Sequence, residues 1–169
     1  TRFGYWLFIL YGLLEWFRPR PIAEQIKRRK TLVYCLFSVI LGSSVSWVIG
    51  KIWHRPRPFA CGDAAALVPH KANASFPSNH SMNSLAISLM LLARRNPWGL
   101  PALVWTGVLA SSRILSGLHY VSDVIGGFFI GAAASHVVYH SKRCSQLADH
   151  ILYYWHVGTA VVETWWRKC

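Results

Sequence analysis

The sequence predicts an all-α, polytopic transmembrane helical bundle, and three observations carry that expectation. Of 169 residues, 53% are hydrophobic, the apolar residues gather in runs, and the basic residues cluster between the runs. Nine tryptophans and seven tyrosines agree with it, because amphipathic aromatic rings settle at the level of lipid headgroups. Helices are the expected form, since isolated strands would leave backbone groups unpaired in lipid. A soluble protein with a large aromatic core is the competing reading of the same composition.

Five apolar runs can be marked, over residues 3–17, 32–53, 78–93, 100–115 and 121–139. Several fall short of the ~20 residues that a perpendicular helix needs to cross the hydrocarbon layer, so packing inside a bundle must support them. Residues 147–166 are apolar but interrupted by Asp149, His150, His156 and Glu163, which predicts an interfacial helix in preference to a further span. The expected organisation is a transmembrane unit over residues 1–143 and an amphipathic or interfacial segment over 144–169.

The formal charge of +12, from 18 Lys and Arg against six Asp and Glu, admits anionic lipid, phosphate or nucleic acid as partners. Placement argues against nucleic acid, because the basic residues do not form a stripe on a polar face. Arg18, Arg20, Lys27, Arg28, Arg29 and Lys30 fall between the first two runs, Arg94 and Arg95 between the third and fourth, and Lys142 and Arg143 after the fifth. A five-helix threading puts all three clusters on one side, which the positive-inside rule assigns to the cytoplasm. The loop over 51–79 and the turn over 113–120 then face outward. Cys35, Cys61, Cys144 and Cys169 show neither a CxxC pair nor zinc-ligand spacing, so free thiols are expected. The chain opens close to an apolar run, with no basic region and small-residue cleavage site of a signal peptide in view.

Three short motifs stand at the outward mouths of these helices. The first, over residues 51–58, carries Lys51, Arg55 and Arg57 with Pro56 and Pro58 beside the arginines; prolines fix the backbone, and guanidinium groups suit bidentate contact with phosphate oxygens. Arg18-Pro19-Arg20-Pro21 repeats those letters on the predicted cytoplasmic side, where a basic anchor is the plainer reading. The second, Phe76-Pro77-Ser78-Asn79-His80, places a hydroxyl and the N–H groups of a helix start together, an anion cradle with His80 beside it. An N-cap with an incidental histidine is the bland alternative.

The third motif is Ser112-Arg113, five residues, His119, three residues, Asp123. On a helix His119 and Asp123 would be i and i+4, so the carboxylate could meet the imidazole and fix which nitrogen is free. An ionisable group entering a membrane segment is expensive, and points to function, although a structural His–Asp pair would read the same way. Together the motifs supply a nucleophile with an orienting carboxylate, a second histidine for proton transfer, and several cationic or N–H donors. Phosphoryl transfer through a covalent intermediate requires such a set. His80, His119 and Asp123 as ligands of a hydrolytic metal is the competing chemistry.

On these motifs the chain resembles the type 2 phosphatidic acid phosphatase superfamily, whose signatures are Lys-x6-Arg-Pro, Pro-Ser-Gly-His and Ser-Arg-x5-His-x3-Asp. The resemblance is close over residues 50–131, and the stretches 54–59, 75–80 and 117–127 are most similar to its bacitracin-resistance type of undecaprenyl-diphosphate phosphatase. It implies the helical bundle shared with vanadium haloperoxidases and six helices, of which five are visible, so the family's first helix is expected to be absent from this chain. It further implies His119 as nucleophile, Asp123 as its orienting partner and His80 as acid and base, with phosphate held by Arg57, Arg113, Ser78, Asn79 and Lys51. No metal or other cofactor is implied, and no oligomeric state.

The implied substrate is a polyprenyl diphosphate lipid, with undecaprenyl diphosphate hydrolysed to undecaprenyl phosphate at the outer face of a bacterial cytoplasmic membrane. Phosphatidylglycerophosphate and phosphatidic acid are alternative substrates, and a non-enzymatic polyprenyl carrier or transporter is the alternative class. Soluble acid phosphatases and haloperoxidases share the signatures, and the apolar runs around each motif count against both. Two departures stand out. Gly50 occupies the place of the signature lysine, with Lys51 one residue later, and a one-residue slip turns a helical side chain by roughly 100°. Asn79 replaces the signature glycine, where a backbone N–H still serves.

Overall fold

In the computed structural model, which describes residues 4–68 and 70–166 with side chains to residue 160, the chain forms seven helices and, among those residues, no strand. They are α1 (Gly4–Phe17), α2 (Ile22–Ile52), α3 (Pro58–Cys61), α4 (Asn79–Ala93), α5 (Gly99–Leu115), α6 (Val121–His140) and α7 (Lys142–Trp166). Every apolar run marked in the sequence is a helix. Cys35, Cys61 and Cys144 are free thiols; Cys169 lies outside the described residues.

One boundary corrects the expectation. The second helix begins at Ile22 and not near residue 32, so Lys27, Arg28, Arg29 and Lys30 belong to a helix and not to a connection. The local chemistry explains why. Pro21 at the N-cap stops any earlier helix, Glu24 lies in the first turn where negative charge suits the helix dipole, and Glu24 pairs with Arg28 at 3.2 Å in the favourable i,i+4 order. Lysine and arginine are good helix formers, so the apolar pattern undercounted this helix.

Two helices, α2 and α6, are long and apolar enough to cross a membrane, and α5 is apolar but shorter. The five spans expected from sequence thus reduce to two that meet the length on their own. Large apolar side chains face outward along the bundle, among them Trp6, Leu10, Leu36, Ile40, Val104 and Phe129. The interior joins Val33, Tyr34, Cys35, Met90, Leu91, Val138 and Ala148, so α7 contributes to the same core as α2, α4 and α6.

The close approach of α6 to α4 positions the site. Gly127 and Gly131 are one turn apart on α6, and a Cβ at Gly127 would lie 2.7 Å from the Ser78 carbonyl oxygen, while one at Gly131 would strike that of Met82. Small residues at this spacing let two helix backbones touch. Polar groups inside the bundle are satisfied locally: Ser84 donates to the His80 carbonyl at 2.7 Å, Ser88 to that of Ser84 at 2.8 Å, and Ser88 meets Thr106 of α5 at 2.9 Å. The ends of α2, α5 and the starts of α4 and α6 consequently share one end of the bundle. Arg94, at the end of α4, lies over the Tyr34 ring at 5.0 Å, and Lys30 meets Asp149 of α7 at 2.6 Å, which gathers basic residues at the other.

Candidate active site

His119 lies in the turn between α5 and α6, and its ring is buried. The turn depends on Gly117, whose φ of +68° favours glycine and whose Cβ would sit 2.6 Å from the Ala65 carbonyl oxygen. Nδ1 of His119 lies 2.8 Å from the Ser75 carbonyl oxygen, and Nε2 lies 3.1 Å from Nη1 of Arg57. A carbonyl only accepts and a guanidinium only donates, so the hydrogen belongs on Nδ1 and the lone pair on Nε2. The imidazole is neutral. Burial, foremost, together with the Arg57 charge holds its pKa below the ordinary histidine value, against the pull of Asp123 and the Ser75 carbonyl.

Asp123 departs from the sequence expectation. Its carboxylate is 3.7 Å from His119 Nδ1, outside hydrogen-bonding distance, and the Ser75 carbonyl takes the proton instead. The reason is local. Helix α6 starts only at Val121, so His119 precedes it and i,i+4 geometry does not apply. Asp123 folds back to cap the helix, accepting from the Tyr120 N–H at 2.9 Å. Fully buried, it also accepts from the Ser75 hydroxyl and from Arg55 Nη1 at 2.8 Å.

Arg57 is buried, and among the described residues its hydrogen bonds go to neutral acceptors. Nε donates to the Asn73 carbonyl and side chain at 3.2 and 3.1 Å, Nη1 to the Leu118 carbonyl at 2.9 Å as well as to His119, and Nη2 to the Ala74 carbonyl at 3.4 Å. Such a guanidinium keeps its full charge available to an anion.

The start of α4 supplies the rest. Ser78 is fully buried; its N–H donates to the Asp123 carbonyl at 3.0 Å and its hydroxyl meets that of Ser81 at 3.0 Å. No side chain caps this helix start, so its first-turn N–H groups have no partner within the helix. Asn79 ties two neighbours to that start: its side chain accepts from Ser46 and its carbonyl from the Tyr5 hydroxyl at 2.8 Å. The Tyr5 ring stacks on His80, centroids 4.4 Å apart and planes 18° from parallel. Arg113, His119, His70 and Arg57 are the cationic or titratable neighbours of His80, and Arg113 is buried.

Lys51 is the predicted member set apart. It lies in the last turn of α2, exposed, with Nζ 5.8 Å from the Trp47 ring centroid. It lines a neighbouring groove of about 540 Å³ with His54, Asn73 and Asn79, as the one-residue slip implies. Sequence reasoning left Ser75 and Tyr5 out of the site, and read Arg55 as a phosphate contact where the structure pairs it with Asp123. Ser75 acts partly through its carbonyl, which no sequence motif encodes. Tyr5 comes from a helix more than 70 residues away, and Arg55 carried a signal in its Pro-framed motif that only an acid partner could decode. Among the described residues no three His, Cys, Asp or Glu side chains gather as a metal-ligand set.

The sequence and the fold both have relatives. Residues 31–145 match the PAP2 superfamily, and the chain belongs to that superfamily. Over 102 residues it is 36% identical to undecaprenyl-diphosphatase BcrC of Bacillus subtilis (strain 168), a stretch covering 60% of this chain and 53% of that protein. Over 116 residues it is 33% identical to phosphatidylglycerophosphatase B of the same strain, covering 61% and 55%. The chain thus spans about half the length of these relatives. The crystal structure of Aquifex aeolicus LpxE shares the fold, with a TM-score of 0.63 at 20% identity over 81% of each chain. Two helices apt to cross a bilayer and the large apolar side chains on the outside of the bundle mark the chain as a membrane protein.

Proposed function

We propose that this protein hydrolyses the terminal phosphate of a polyprenyl diphosphate, taken as undecaprenyl diphosphate, through a phosphohistidine on His119. The observation that carries this reading is the buried neutral imidazole whose Nε2 lone pair faces Arg57, a guanidinium answered only by neutral acceptors. In the first step Nε2 attacks the terminal phosphorus in line, the bond to the bridging oxygen breaks, and His80 gives its proton to the departing lipid monophosphate. Water then attacks the phosphohistidine, passes a proton to His80, and free phosphate leaves. Arg57, Arg113, the Ser78 hydroxyl and the Asn79 N–H stabilise the equatorial oxygens, where charge develops. Lys51 borders this set from the neighbouring groove.

A lipid monophosphate leaves more readily than an alkoxide, so loss of His80 costs less than loss of His119. Phosphatidylglycerophosphate or phosphatidic acid is the second reading, because the residues gathered here address phosphate oxygens and not the lipid beyond them. The decisive measurement is turnover of the purified protein on polyprenyl diphosphate, phosphatidylglycerophosphate and phosphatidic acid. Preference for the diphosphate by an order of magnitude in kcat/KM is expected; preference for a phosphomonoester moves the substrate, and phosphate release from none of them leaves a carrier or transporter.

The site lies at the end of the bundle opposite the basic clusters at 18–30, 94–95 and 142–143, which supports a multi-pass arrangement with the site outside the bacterial cytoplasmic membrane. There it would recycle the carrier lipid of cell-wall synthesis and raise tolerance to bacitracin. Cys61, exposed on that end, should take up an impermeant thiol reagent in intact spheroplasts, and Cys144 should not. The reverse pattern would invert the topology.

A further inference from the structure

Asp123 is completely buried, a costly place for a carboxylate without a balancing charge, and a neutral His119 3.7 Å away does not supply that charge. Arg55 donates from Nη1 to Asp123 Oδ1 at 2.8 Å and to Ser122 Oγ at 2.7 Å, and its guanidinium carbon lies 4.1 Å from the Tyr120 ring centroid. Tyr120 is held at both ends, its N–H on Asp123 at 2.9 Å and its hydroxyl on Asp63 at 2.6 Å. A continuous chain therefore runs from Asp63 through Tyr120 and Arg55 to Asp123, beside the imidazole. Arg55 falls at a position that the signature Lys-x6-Arg-Pro leaves unspecified.

We propose that Arg55 is a positioning residue of the phosphoryl-transfer site, fixing the Asp123 carboxylate on the start of α6 and balancing its charge beside His119, so that the imidazole keeps its Nε2 lone pair. The proposal rests on the reading of His119 as nucleophile. Its physical basis is the charge balance around one ring. His119 is faced by Arg57 from the loop, Asp123 from α6 and His80 from α4, with Arg113 of α5 beside His80. Arg55 and Arg57 together outweigh the one carboxylate. With Arg55 neutralised, an unbalanced carboxylate 3.7 Å from Nδ1 would favour the imidazolium, which has no lone pair to attack with. Aromatic stacking on Tyr120 and the fork of two acceptors suit arginine better than lysine.

The test is a titration of His119 by nuclear magnetic resonance in the full chain in detergent micelles, for the parent, Arg55→Met and Arg55→Lys, each also in an Asp123→Asn background. Arg55→Met is expected to raise the His119 midpoint by about one pH unit and to move the acid limb of kcat/KM upward by the same amount. Arg55→Lys should shift both less. In the Asp123→Asn background Arg55→Met should shift the midpoint much less, since no carboxylate remains beside the ring to act on it. An unchanged midpoint in folded Arg55→Met, or equal shifts in both backgrounds, overturns the proposal. If Arg55→Met does not fold, Arg55→Gln must show the upward shift in its place, and its absence there is equally fatal. The titration needs no turnover, so failure of the phosphatase reading and failure of this one are told apart.

Discussion

The tetrapeptide Arg-Pro-Arg-Pro occurs twice, at residues 18–21 and 55–58, and its two copies stand at opposite ends of the bundle. At the first, Arg20 donates from both terminal nitrogens to both oxygens of the buried Glu15, each at 2.8 Å, and so staples the turn between α1 and α2. Nearby, Arg29 rests between the rings of Trp16 and Trp155, 5.4 and 5.8 Å from their centroids, with Nε on the Trp16 carbonyl. At the second copy only Arg55 meets a carboxylate, and Arg57 is answered by carbonyls, an amide and an imidazole. The prolines constrain both segments alike. The difference is the local supply of acid: an arginine closed by a carboxylate is a staple, and one closed by neutral acceptors still has charge to offer a phosphate.

Four perturbations sharpen or break that contrast. The largest effect should follow His119→Ala, which removes the attacking atom: turnover of lipid diphosphate should fall by at least ~10³-fold with helix content unchanged by circular dichroism. Next, Arg57→Ala should lower kcat by ~10²- to 10³-fold, and Arg57→Lys should recover little of it because the forked donor set is lost. The matching change at the other copy, Arg20→Met, should leave turnover per folded molecule intact while lowering thermal stability by about 1–3 kcal/mol, since Glu15 stays buried without its donors. A large kcat loss there would erase the contrast.

The smallest effect concerns pH. Neutral His119 is the attacking form, and burial holds its pKa below the ordinary value of 6.5. The acid limb of kcat/KM for the free enzyme should therefore fall below pH 6.5. A limb above that value would mean that the imidazolium is stabilised, with Asp123 dominating over burial and Arg57.

A separate stability prediction tests what brings the motifs together. Gly131→Ala should cost about 1–3 kcal/mol through overpacking, because its Cβ meets the Met82 backbone. A thermal denaturation series with turnover measured on the folded fraction reads both the cost and any displacement of Asp123 from Ser78.

Much of the site was legible because chemistry restricts residue choice. Arg57, His80, Arg113 and His119 stand out as cations and imidazoles at the mouths of apolar runs, where they need a reason to be. His119 and Asp123 meet at 3.7 Å, longer than a hydrogen bond, for a physical reason: i,i+4 spacing aligns two side chains only inside a helix, and His119 sits before the first turn. Lys51 illustrates the reverse. It stands one residue past the place the signature gives it and lines a groove that Asn79 also lines.

The early start of α2 was hidden because an apolar pattern detects the buried stripe of a helix and not its charged first turns. The basic residues at 27–30 are as helical as the leucines after them. Likewise, the alanine at 148 looked like part of a separate segment, and only packing shows it in the core with Tyr34 and Leu91.

By itself the sequence determined the helical class, the apolar runs and the candidate residues of a phosphate-directed site, because each follows from side-chain type and from spacing along one element. The tertiary structure alone decided which arginine meets an acid, which carbonyl fixes the tautomer of His119, and that Tyr5 stacks on His80. These are contacts between elements tens of residues apart, and backbone carbonyls and helix crossings leave no mark on the order of side chains.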